Sequence, residues 1–196
     1  MNFLAHSHLS GDNRDILFGN FIADSVKGKA MNDFPNNIKN GILLHRKIDS
    51  FTDKHEIVKT SVRLLRPAYG KFSGVVVDIY YDHFLAANWT DYSETNLKSF
   101  AKHVYLILGN NFSLLPARTK RMLPFLIAQN WLVGYSNFDS LKRVFAGMDR
   151  RTNNISGMKD AVVQLKINYD ELDLHFKEFY PLLQDFAKEQ LQELKT

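Results

Sequence analysis

Residues 74–89 read GVVVDIYYDHFLAANW, and residues 41–55 read GILLHRKIDSFTDKH. The first stretch decides the fold. Its polar side chains are nearly confined to Asp78, Asp82, His83 and Asn88. A helix apolar on almost every side is a buried helix, and a carboxylate inside one is costly unless paired, hydrogen-bonded or bound to a cation. Asp78 and Asp82 stand four residues apart, and the second stretch spaces His45, Asp49 and Asp53 in the same way. Because a helix repeats every ~3.6 residues, this spacing stacks each set along one face. Two such faces turned toward each other suggest a metal site in a helical core. A solvated face with partners at Arg46, Lys47 and Lys54 also explains the first set. A salt-bridge network is the competing account of the buried one.

Upstream, Met1 to Leu9 is an apolar lead-in with His6 and His8, which read as hydrogen-bonded core histidines first and as ligands second. Asp15 predicts the cap of a helix through ILFGNFIADSVKGK, with Asn20, Asp24 and Lys27 on one face and Gly28 as its stop. Asp24 is equally readable as a buried helix-to-helix hydrogen-bonding group. Apolar Ile38, Ile42, Leu44 and Ile48 predict a helix from about Pro35 to Phe51.

Downstream, Glu56 to Arg66 forms an amphipathic segment stopped by Pro67, and the buried helix ends near Trp89. Ser93 reads as the cap of a helix to Leu108. Further helices are expected over 116–131 and 138–148. A heptad-like run covers about 158–194, interrupted by Pro181. No strand, repeat or low-complexity linker stands out. The expectation is an all-α, single-domain helical bundle over 1–196 with a long C-terminal helical segment.

Composition narrows the chemistry. The chain has 196 residues, 45% of them hydrophobic, with 15 Phe and 8 Tyr, enough for a substantial core. It has no cysteine, so disulfides and thiolate ligands are excluded and any metal is held by oxygen and imidazole nitrogen. MNFLAHSHLS lacks a basic n-region, and no window reaches the ~18 uncharged apolar residues of a membrane span. A soluble, cytoplasmic protein is expected, with no membrane partner. The net charge is +4, yet residues 159–196 hold 5 Lys and 8 acids, which leaves the preceding part at +7. That excess favours an acidic partner or a phosphate-bearing substrate. It is too modest, without a finger, RNP or glycine-loop motif, to indicate nucleic acid.

The joint pattern N-x3-D, HR-x2-D and D-x3-DH on three successive helices is more specific than any of its members. Imidazole with several carboxylates suits six-coordinate Mn²⁺, Mg²⁺ or Fe²⁺ better than closed tetrahedral zinc. Such a cation would activate water and stabilise a phosphoryl oxygen. Lys27 and Arg46 read either as a charge clamp on a phosphate or as surface charges. Arg118, Lys120 and Arg121 with Lys142, Arg143, Arg150 and Arg151 read as a docking patch or as scattered solvated charge.

MNFLAHSHLS, GNFIADSVKGK, GILLHRKIDSFTDKH and DIYYDHFLAANW, in this order and spacing over residues 1–89, resemble the acyl carrier protein phosphodiesterase family (holo-acyl-carrier-protein hydrolases). QNWLVGY around Trp131 is compatible with it. The resemblance implies a distorted HD-type phosphohydrolase fold and a Mn²⁺-dependent reaction, with Mg²⁺ or Fe²⁺ as alternatives. That reaction removes 4′-phosphopantetheine from the serine of holo-acyl carrier protein, a small acidic protein. Asp24 matches the family's essential acid. His45, Asp49, Asp78, Asp82 and His83 match its metal shell, with Asp24 among the expected ligands and Lys27 and Arg46 set to neutralise the phosphate. A phosphohydrolase acting on a nucleotide or other small phosphodiester is the alternative with the same site. A helical adaptor for an acidic protein is the alternative without catalysis.

Overall fold

The computed structural model describes residues 1–194. Eleven α-helices occur among them, with short 3-10 turns and no strand, so the chain is all-α as expected. α1 spans Phe3–His8, α2 Arg14–Ile22, α3 Asn36–Lys54, α4 Glu56–Tyr69 and α5 Ser73–Ala87. α6 spans Leu97–Asn110, α7 Ala117–Ala128, α8 Trp131–Gly134, α9 Phe138–Arg151, α10 Ala161–Ile167 and α11 Tyr169–Glu193.

α5 is the buried helix that its composition predicted. Val76, Val77, Ile79, Tyr80, Tyr81, Phe84 and Leu85 are fully enclosed. α1, α4 and α11 pack around it, and α11 also lies against α3. Tyr81 meets Phe176 and Phe179 of α11 edge-on or tilted, the offset geometries that aromatic rings prefer. Among the described residues no helix is long and apolar enough to cross a membrane.

Several boundaries differ from the sequence reading, each for a local reason. The cap of α2 is Asn13, whose side chain accepts from the Asp15 and Ile16 amides, while Asp15 lies inside the first turn. The cap of α6 is Asn96 rather than Ser93. Pro67 does not stop α4, which runs on to Gly70 at φ 51°. Pro181 lies inside the continuous α11, and the C-terminal run breaks instead at Asn168, between α10 and α11.

α2 and α3 pack at backbone distance because glycines meet there. A Cβ on Gly19 would overlap the Ile38 carbonyl, and one on Gly41 the Ile16 carbonyl. This contact places Asn20 and the Ala23–Ser25 turn against His45. Gly19→Ala is therefore expected to destabilise the protein by about 3 kcal/mol in urea unfolding, since neither backbone can yield. Gly109→Ala, at an exposed position of α6 where a Cβ meets nothing, should stabilise slightly through helix propensity.

Candidate metal and active site

Three elements converge at the base of a cleft of roughly 1250 Å³, with Asp24, His45 and Asp49 lining it and His6 buried behind His45. α3 contributes His45 and Asp49 on one face. α1 contributes His6. The turn after α2 contributes Asp24. The His6 and His45 rings stack with centroids 3.8 Å apart and an interplanar angle of 16°. Asp49 joins them: one carboxylate oxygen lies 3.1 Å from His6 Nε2, and the other lies 3.1 Å from His45 Nε2. Asp24 Oδ1 lies 3.3 Å from the same His45 nitrogen. Candidate ligand atoms of His6, His45 and Asp49 all fall within 4.8 Å of one another.

The donor geometry fits a cation. His45 Nδ1 lies 2.9 Å from the Asn20 carbonyl, an acceptor, so Nδ1 carries the proton and donates it there. Anchoring the far nitrogen on a carbonyl is how ligating imidazoles are oriented. In the neutral ring Nε2 then has a bare lone pair, and it is buried without a hydrogen bond although two carboxylate oxygens lie within 3.3 Å. A lone pair facing carboxylates is repulsive unless a proton or a metal ion stands between them. Imidazole nitrogen with carboxylate oxygen suits a divalent cation of the Mn²⁺, Fe²⁺ or Mg²⁺ kind.

Without a cation the proton is held. Burial is the largest single influence on His45 and lowers its pKa, but Asp24 and Asp49 together outweigh it and raise the pKa to about 9. His6 goes the other way, to about 4, through burial and the neighbouring His45 charge. Asp49 is held far below the usual carboxylate range, because the two imidazoles overcome its desolvation. Asp24 is lowered chiefly by the His45 imidazole beside it, against the opposing effect of burial.

The remaining residues expected at the site are distributed differently. Asp78 lines the cleft and accepts from the Met1 amine at 2.8 Å. Asp53 lines it too. Asp82 is not brought to the imidazoles: it is fully buried, and its two oxygens accept backbone N–H groups of Asn2, Leu4 and Ala5 at 3.2, 2.8 and 3.2 Å. It caps the start of α1. His83 stands one residue, or about 100° of helix, away from Asp82. Its Nδ1 lies 2.8 Å from the Tyr135 carbonyl, and its ring packs on Phe138 and Tyr169. Arg46 reaches the Val26 carbonyl at 3.2 Å and the Met31 sulfur, so it braces the turn of 26–31. Neither Arg46 nor the exposed Lys27 lines the cleft.

His8 is a hydrogen-bonded core histidine, held by the Tyr180 hydroxyl and the Tyr92 carbonyl. His6, read the same way from sequence, is instead the ring stacked on His45. The pair stands two positions apart, which turns the rings ~200° from each other on a helix, so one faces the site and the other the core. From the basic cluster, Arg118, Arg121, Arg143, Arg150 and Arg151 line the opposite wall of the cleft. Lys120 turns away to the Ser113 carbonyl, and Lys142 does not line it.

An all-α chain with stacked imidazoles and carboxylates on a cleft floor has the build of a helical hydrolase. Comparison with known proteins narrows that class. The family model described as acyl carrier protein phosphodiesterase matches residues 1–183, and the chain belongs to that family of enzymes. It is 32% identical over 189 residues to the acyl carrier protein phosphodiesterase of Enterobacter sp. (strain 638), covering 96% of this chain and 98% of that one. The Photorhabdus laumondii protein of the same name is 31% identical, covering 96% of both chains, and that of Klebsiella pneumoniae (strain 342) is 32% identical. No solved structure matches the chain, and the HD-type fold stands only as what the family resemblance implies.

Proposed function

We propose that the chain hydrolyses the phosphodiester joining 4′-phosphopantetheine to the serine of holo-acyl carrier protein, with a divalent cation held by His6, His45 and Asp49. The observation that carries the reading is the buried His45 Nε2, which makes no hydrogen bond although carboxylate oxygens of Asp24 and Asp49 lie 3.3 and 3.1 Å from it. It is supported by relatives of that name matching along nearly the whole chain.

When bound, Mn²⁺, or Mg²⁺ or Fe²⁺ in its place, supplies Lewis-acid polarisation of a phosphoryl oxygen and acidifies water. The residues supply the rest. Asn20 fixes the His45 tautomer through Nδ1. Asp49 holds both rings in register. Asp24, with its side chain 63% exposed at the cleft and Oδ1 3.3 Å from His45 Nε2, is placed as the base that accepts a proton from the attacking water. The water oxygen forms the new bond to phosphorus while the bond from phosphorus to the serine oxygen breaks, and that alkoxide takes a proton. Phosphate esters in water hydrolyse extremely slowly, so charge neutralisation and a placed base are both required. A cytoplasmic setting, where carrier proteins act as substrates, goes with this reading.

The test is incubation of the protein with holo-acyl carrier protein and Mn²⁺, read by intact mass, beside Asp24→Asn and EDTA-treated samples. The expected result is loss of the phosphopantetheine mass in the wild-type Mn²⁺ sample alone. A folded wild type that binds Mn²⁺ and leaves holo-carrier intact overturns the substrate. Cleavage that persists in EDTA overturns the metal.

A further inference from the structure

The wall facing the acidic floor is built from α7 and α9, and its charge is unanswered. Arg118, Arg121, Arg143, Arg150 and Arg151 line it and are exposed. Among the described residues none of the five pairs with a carboxylate; Arg143 donates only to Ser140 Oγ at 2.8 Å. The wall's spacing is regular. Arg143 and Arg150 stand seven residues apart on α9, about 10.5 Å at 1.5 Å per residue, and share one face. On α7, Arg118 and Arg121 lead into Phe125, whose side chain is left largely exposed at the cleft.

We infer that this α7–α9 wall is the docking surface for an acidic helical face of the protein substrate, and that it aims the scissile phosphodiester at the floor. The inference rests on the proposed hydrolase reading. In that reading the substrate carries one phosphate, which must reach His45 and Asp49, and the pantetheine arm is uncharged. The negative charge that five arginines answer therefore belongs to the protein part. A row of cations longer than 10 Å outreaches one phosphate, whereas carboxylates three and four residues apart along a helix present the matching ~5–6 Å repeat. Charges at the rim of a cleft act mainly by steering and register, through fields that salt screens.

The experiment compares wild type, the double variant Arg143→Glu/Arg150→Glu, and Lys142→Glu, which changes a neighbouring charge of α9 outside the cleft. Affinity for apo-acyl carrier protein is measured by titration at low and physiological salt. KM and kcat for holo-carrier are measured with Mn²⁺, and far-UV circular dichroism confirms folding. The expected result is about tenfold weaker apo-carrier binding and a matching rise in KM for the double variant, with less salt dependence. Lys142→Glu should match wild type. Equal affinities in all three overturn the surface, as does a loss in Lys142→Glu equal to that of the double variant, which would mark net charge alone. A fall in kcat at unchanged KM also overturns it, because the arginines would then act on the reacting phosphate. Wild type that binds apo-carrier through these arginines yet leaves holo-carrier intact defeats the hydrolase reading and not the surface.

Discussion

His45→Ala is expected to lower turnover of holo-acyl carrier protein by about 10³-fold or more, with cation affinity lost in the same variant. His45 is the hub of the floor: its Nε2 is the atom nearest to both Asp24 and Asp49, and its ring stacks on His6. Alanine removes one ligand nitrogen and also the imidazole that lies 3.1 Å from Asp49 and 3.3 Å from Asp24. The measurement is Mn²⁺ titration by calorimetry beside a mass-based turnover assay.

A pH dependence belongs to the same prediction. With His45 raised to about 9 in the cation-free protein, binding must expel its proton. Affinity should rise with pH toward that value and fall by between about one and two orders of magnitude from pH 8.5 to 6.5. The sign for stability is opposite. A raised folded-state pKa means that the His45 ion pairs stabilise the cation-free fold below the unfolded value and are lost as pH rises through about 9. Cation affinity independent of pH over this range would show that His45 is not a ligand.

Periodicity made much of this legible. The apolar run of α5 identified the central helix, and the four-residue spacing of His45 and Asp49 placed both on one face of α3. Periodicity tells which residues share a face, but not which neighbour that face meets. Asp82 is the instructive case. A buried carboxylate demands compensation, and a cation and three backbone amides satisfy that demand equally well on paper. The amides come from residues 77 to 80 positions away in sequence, so nothing near Asp82 announced them. His83, adjacent to Asp82, could not share its face and found the Tyr135 carbonyl instead. Arg46 has the right charge for a phosphate but was drawn to the carbonyl of Val26, fixed by the α2–α3 glycine contact and the turn beyond it. Pro181 left α11 unbroken because its missing amide falls on an exposed face, where packing of Phe176, Phe179 and Leu183 on the other side holds the helix together.

Asp82→Ala is expected to destabilise the protein by about 3–5 kcal/mol in urea unfolding, among the largest effects of any single change. The substitution strands the amides of Leu4 and Ala5 inside the core, with that of Asn2 at its edge, and an unpaired buried amide costs about 1–3 kcal/mol. It also removes the negative charge from the N-terminus of α1, where the helix dipole favours an anion. Burial works against that charge and lifts the Asp82 carboxyl to about 7, with the Leu4 amide and the Met1 amine pulling back. A folded value raised above the unfolded one means that the group's pH-dependent contribution is full at acid pH and is lost as pH rises through about 7. The loss of stability on going from wild type to Asp82→Asn should therefore be larger at pH 5 than at pH 8. Asn keeps one oxygen for the Asn2 and Ala5 amides and turns an N–H₂ toward Leu4, so its cost should fall between wild type and alanine. Because α1 carries His6, the variants also test how the core feeds the site. Asp82→Asn, where folded, should still bind Mn²⁺ through His45 and Asp49, whereas a ligand at position 82 would lose the cation at little cost in stability. A stable Asp82→Asn without Mn²⁺ binding would therefore return Asp82 to the metal shell and make its three amide contacts incidental.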